Sequence, residues 1–200
     1  MSQIKLLHSG GNGVIIAAPD SNPASDRTLK LPSDGDGTIL TTNSSVGKIL
    51  QVVSATKTDT FSTSSSSYTD ITGLSVAITP SSTSSKVFLI VNLHGIGDSS
   101  TQMYVEIFRT SDNTSVCIGD TRSNRVRASL GTGYFDQDND INSQGINFLD
   151  SPNTTSAFNY KLRTRTQDAG SIYINRSVQD HDSAQSGTLA STITAMEIAA

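Results

Sequence analysis

Gly97-Asp98-Ser99 has the residue types of one esterase nucleophile block, in which a serine hydroxyl needs a histidine held by a carboxylate three residues before it near the C-terminus. His181 is the last histidine of the chain, but Val178 stands where that carboxylate belongs, and the neighbouring Asp180 does not repair the spacing. A Gly-Asp-Ser turn after a strand needs only conformational reasons. The sequence has no Gly-x-Ser-x-Gly elbow, no phosphate loop ending in Gly-Lys-Ser/Thr and no His-Glu-x-x-His. These absences lead us to expect no catalytic residues and no enzyme activity.

Asp136-Gln-Asp-Asn-Asp140 is the one run able to gather oxygen ligands, with Asp136, Asp138 and Asp140 at alternate positions as calcium loops require. Ile141 replaces the glycine that turns such a loop, and Asn147 stands where a bidentate glutamate would close it. A solvated acidic loop is the simpler reading, so no cofactor is expected and calcium is the one weak candidate. His8, His94 and His181 lack ligand spacing, and the single Cys117 excludes an internal disulfide and a cysteine zinc site. Arg122, Arg125 and Arg127 form a small basic cluster suited to an anionic glycan or to a neighbour's acidic loop, and Tyr134 follows close by.

These groups must be positioned by strands. Ser and Thr supply 56 of 200 residues, and acidic side chains are 16 Asp against 2 Glu. Such residues favour turns and caps over helix interiors, which excludes a helical bundle. Val, Ile, Leu and Phe total only 47, so the core is thin. The net charge of −4 argues against general nucleic-acid binding, which needs basic surface. Met1–His8 leads into Ser9-Gly-Gly-Asn-Gly13 without a hydrophobic signal core, and no apolar run spans a bilayer, so we expect synthesis in a cytoplasm and no membrane insertion.

Residues 1–45 carry three short strand-like pieces, Val14–Ala18, Thr28–Leu31 and Thr38–Thr42, each too short to offset its ordering entropy alone. They read as a module that folds against something else. From Gly47 the period is two. Strands are expected at Lys48–Val53, Ile71–Pro80, Lys86–His94, Gln102–Arg109, Ser115–Ile118, Phe158–Arg165, Ser171–Asn175 and Ser191–Ile198, with Thr56–Thr69 a polar stretch and Ser171–Asn175 pairing back on the strand before it. Lys86–His94 puts Val87, Leu89, Val91 and Leu93 on one face and Phe88 and Ile90 on the other, the pattern of a central strand covered on both sides. The fold class is therefore all-β: an antiparallel jelly-roll sandwich over 46–200 behind a short β-rich attachment module over 1–45.

Gly47–Val53, Tyr68–Pro80, Ser85–Val91, Phe148–Pro152, Phe158–Tyr160 and Ser191–Ile198 together resemble the C-terminal domains of tailed-phage fibre and other virion proteins. Gly13–Pro19, Arg27–Pro32 and Gly37–Thr41 are similar to the short module that precedes such domains. The resemblance implies a homotrimeric virion-surface protein whose jelly roll is like tumour-necrosis-factor and complement-head domains. It implies attachment to other virion proteins, of tail or capsid, through Val14, Ile15, Ile16, Leu29, Leu31, Ile39 and Leu40. The loops of Arg122, Arg125, Arg127 and Tyr134 would then meet host glycan or protein. A short tail fibre or receptor-binding adhesin is the first reading, a capsid cement or head-fibre protein the second, and a polysaccharide hydrolase a distant third. The sparse apolar content favours closure against copies of the chain, with Phe108, Phe158, Tyr160 or Tyr173 as candidates for the threefold axis.

Overall fold

The computed structural model describes residues 3–7, 10–11, 13–17, 49–132 and 139–199. The chain divides into two compact units, Met1–Ser44 and Ser45–Ala200. In the first, β1 (Gln3–Leu7) and β2 (Gly13–Ala17) form an antiparallel hairpin that sets Gln3 opposite Ala17 and Leu7 opposite Gly13. Gly11 takes a φ of 92° in the connection, where a side chain would be strained. Val14, Ile15 and Ile16 lie on β2, whereas Leu29, Leu31, Ile39 and Leu40 fall outside the described residues. β1 was not foreseen from the sequence.

The second unit holds β3 (Ile49–Lys57), β4 (Phe61–Thr63), β5 (Thr69–Ile78), β6 (Lys86–Gly97), β7 (Met103–Arg109), β8 (Thr114–Val116), β9 (Leu130–Gly131), β10 (Asn142–Asp150), β11 (Phe158–Thr166), β12 (Ile172–Ile174) and β13 (Ser191–Ile198). The described residues contain no helix. Two antiparallel sheets face each other. One runs β3-β13-β6-β10, with β12 and β4 continuing the β13 side of β6; the other runs β5-β11-β7-β8, with β9 added at β7. Eight of these strands, four in each layer, give the expected jelly-roll sandwich.

The core lies between the sheets and follows from period two. On β6, Val87, Leu89, Val91 and Leu93 are at most 1% exposed and meet Leu74, Val76 and Ile78 of β5, Val105 and Ile107 of β7 and Leu162 of β11 in one cluster. At roughly 25 cal/mol per Å2 of apolar surface, each such aliphatic residue contributes about 2 kcal/mol. Phe158 and Tyr160 also belong to this interior, their rings 5.0 Å apart edge to face, so they do not lie at an intersubunit axis. The Tyr160 hydroxyl donates to the Asp150 carboxylate at 2.6 Å, which also receives Arg109 Nη1 at 2.6 Å. That network fixes the end of β10 against β11 and β7.

Three expectations need correction. β12 does not pair back on β11 but crosses to the other sheet, between β6 and β4. The reason is a polar clasp at the crossing: Thr101 Oγ1 accepts from the amides of Gln167 and Asp168 at 3.0 and 3.1 Å, and Asp98 Oδ2 accepts from Ser171 N at 2.7 Å. The stretch 56–69 contains β4, which uses Phe61 opposite Ile174. β10 was not foreseen, and it occupies the edge of the first sheet, pairing among the described residues with β6 alone.

Candidate functional site

The clasp also settles the Gly97-Asp98-Ser99 motif. Asp98 donates its amide to Ser171 O at 2.9 Å, and its carboxylate accepts from the amides of Ser100 and Ser171. A Cβ on Gly97 would lie 2.3 Å from Thr101 O, so glycine is required there by close packing. Among the described residues no hydrogen bond joins Ser99 to His181, which sits in the 177–189 loop. His94 places Nδ1 2.8 Å from Ser143 Oγ and ties β6 to β10. Cys117 is half-buried with a φ of 55°, and burial raises its thiol pKa. Asp140 is exposed, Asp136 and Asp138 lie outside the described residues, and no group of three metal-ligating side chains occurs among the described residues.

The two sheets present different outer faces. The outer face of β3-β13-β6-β10 carries an apolar row in register: Val52 opposite Met196, Met196 opposite Phe88, Phe88 opposite Leu149. Val52 is 54% and Leu149 51% exposed. Leu50, Ile90 and Ile198 adjoin the row on the same face, and Ile49 projects beside it at 58% exposure. One step further along, the face turns polar with Ser54 and Thr194, whose hydroxyls are 2.9 Å apart.

The outer face of β5-β11-β7-β8 is closed by charge and aromatic rings. Arg163 lies 4.5 Å over the Phe108 ring and 6.0 Å over the Tyr68 ring, and its guanidinium meets Glu106 at 3.1 Å and Asp70 at 3.4 Å. The second Glu106 oxygen accepts from Ser115 Oγ at 2.6 Å, and Lys161 meets Asp70 at 2.8 Å. Burial, with the Glu106 charge nearby, pushes the Tyr68 hydroxyl up to about 12. Phe108 is thus a partner of Arg163 and Tyr173 of Arg176, whose guanidinium stands 4.1 Å over the ring.

At one end of this face the 117–131 loop folds back on the sheet. Ser129 anchors it, accepting from Ile107 N at 3.1 Å and donating to Val116 O at 2.9 Å, and Tyr68 donates its hydroxyl to Arg127 O. The three arginines singled out from sequence separate here. Arg127 spends its Nε on Gly119 O at 2.7 Å and braces the loop, whereas Arg122 and Arg125 are exposed and form no side-chain hydrogen bond or ion pair among the described residues. Tyr134 lies outside the described residues. Two open clefts of about 360 and 500 Å3 flank the loop and share Tyr104, Arg125 and Val126. The larger adds Gln102, Asn124, Gln167 and Asp168. Sequence reasoning missed these amides because they come from three separate segments that only the fold brings together.

No family model matches the chain, and no curated protein sequence matches it. Among solved structures it is similar to a chain of T=1 particles derived from infectious bursal virus, at 13% identity and a TM-score of 0.38 over 86% of this chain and 44% of that one. It is also similar to a chain of the Gt strain of infectious bursal disease virus, at 14% identity and a TM-score of 0.35 over 94% and 47%. The chain spans less than half the length of those two viral chains.

Proposed function

We propose that the protein is a structural, non-enzymatic virion component of a tailed phage, a short tail fibre or receptor-binding adhesin that presents a trimeric jelly-roll head and attaches through residues 1–45. The observation that carries the assembly is the apolar row Val52, Met196, Phe88 and Leu149. The sequence pattern of β6 is that of a strand covered on both faces, yet Phe88 and Ile90 remain half-exposed in the single chain. Monomeric soluble proteins rarely leave such a continuous apolar face to water. The edge of β10, unpaired among the described residues, borders the same face and offers its backbone groups to the same neighbour. The occupant is a second and third copy of the chain, because the sequence resemblance is to trimeric heads and a closed ring covers every copy's face equally.

Sedimentation of the purified protein should give three times the chain mass at micromolar concentration; a compact, heat-resistant single chain would overturn the assembly. Labelled protein located on intact particles should sit on the tail, and binding to host cells should compete with phage adsorption. A position on the shell, with loss of shell stability on deletion, would make it a capsid cement protein instead. Removing residues 1–45 should leave a folded head that no longer enters particles. Release of reducing ends from host polysaccharide would overturn the non-enzymatic reading.

A further inference from the structure

We propose that the cleft between the 117–131 loop and the β7 and β11 ends is a binding site for a carboxylate-bearing saccharide, with Tyr104 as its floor and Arg125 as its charge reader. This deepens the adhesin reading and rests on it for biological meaning, but the binding itself is a property of the isolated protein.

A sugar ring offers a carbon-hydrogen face and a rim of hydroxyls that both donate and accept, and a sugar acid adds a planar anion. A site for it needs an accessible ring, side chains that donate and accept together, and an unpaired guanidinium. The cleft supplies all three. Tyr104 is half-buried on the outer face of β7, and Gly131 opposite it on β9 has no side chain: a Cβ there would lie 3.3 Å from Tyr104 Cδ1. The ring therefore rests close against backbone, which fixes it as a platform with little entropy left to lose.

Gln102, Asn124 and Gln167 bring amides, each able to donate and accept at once, to the larger cleft of about 500 Å3, within the range of small-ligand sites. Gln167 is held by its backbone amide, which donates to Gln102 O at 3.2 Å and to Thr101 Oγ1 at 3.0 Å. Its side-chain oxygen is buried and has no hydrogen-bond partner among the described residues. Arg125 borders both clefts and Arg122 one of them, and among the described residues neither is neutralised. Two acidic side chains also line the region, Asp120 in the smaller cleft and Asp168 in the larger. Asp168 suits a hydroxyl donor, and the guanidinium of Arg125, without a partner among the described residues, suits a carboxylate through paired hydrogen bonds.

The test is calorimetric titration of the full-length protein with tetragalacturonate and sialyllactose as carboxylated probes, cellotetraose and lactose as neutral counterparts, and inorganic sulfate as a bare anion. A carboxylated probe should bind saturably and at least tenfold more tightly than its neutral counterpart. Arg125→Gln should remove that preference, and Tyr104→Ala should weaken both kinds of probe by tenfold or more. Asn124→Ala, on the exposed loop, provides a second variant with unchanged thermal melting and a threefold or greater loss. Absence of binding by every saccharide, equal binding of neutral and carboxylated probes, or displacement by sulfate with no effect of Tyr104→Ala would each overturn the site. Particle labelling reads the virion placement separately, so a failed saccharide test leaves that placement standing and a failed placement leaves the site standing.

Discussion

The two outer faces of the sandwich solve the same problem in opposite ways. Both belong to sheets whose inner faces are fully packed, and both carry large side chains at alternate positions. On β5-β11-β7-β8 the large groups satisfy one another: Arg163 is stacked on Phe108 and Tyr68 and neutralised by Glu106 and Asp70. On β3-β13-β6-β10 the large groups are Val52, Met196, Phe88 and Leu149, and none has a polar atom with which to complete itself. A face closed by its own ion pairs and rings can stay in water; an aliphatic one cannot do so without cost. Under the proposed assembly the first stays open to solvent, and the second is the face that copies of the chain would cover.

Charge placed in the interior should break the frame that both faces share. Val91, 1% exposed on the central strand, cannot hold a carboxylate, and Val91→Asp should cost about 4 kcal/mol or more and abolish soluble protein. Ordinary yield and unchanged melting would refute the placement of β6. Next in size is Arg163→Met, which strands the nearly buried Glu106 without its cation; a loss of about 2 kcal/mol, or roughly 6 °C in thermal melting, is expected without change in oligomeric state. If the oligomer dissociated instead, the division of labour between the faces would be wrong.

Leu149→Asp makes the converse test, since the side chain is half in water and the single-chain fold should change by no more than about 0.5 kcal/mol. Its expected effect is on sedimentation, a shift from trimer to monomer at micromolar concentration. The smallest effect concerns acid. Hydrogen bonds from Arg109 hold the Asp112 carboxyl at about 2, below its ordinary 3.8. Because the folded value is the lower one, that pair's contribution is present above about pH 4 and fades as the pH falls toward 2. Melting curves of Asp112→Asn should lie slightly below those of the parent at neutral pH and converge with them in acid.

The strands that carry the core were legible because their alternation is aliphatic: Val87, Leu89, Val91 and Leu93 declare β6 without help. β10 was not, since Asn142-Ser-Gln-Gly-Ile-Asn-Phe-Leu-Asp150 has only Ile146 and Phe148 at alternate apolar positions, and its strand character comes from pairing with the length of β6. The exposed row was half legible. Phe88 stood out on β6, but Leu149, Met196 and Val52 join it only through a register across four strands. β12 misled local reasoning because the residues that send it to the other sheet, Asp98 and Thr101, are far away in sequence. The arginine loop was visible as composition, while the bracing role of Arg127 depends on Gly119 O, which no pattern announces.

The edge of β10 has a consequence for how the molecule is made. Nine residues without lysine or proline leave, among the described residues, a ladder of open donors and acceptors along one side. Any extended peptide that meets this seam can add a strand to it. Preparations of the protein should therefore lose more material to fibrous precipitate as their concentration rises.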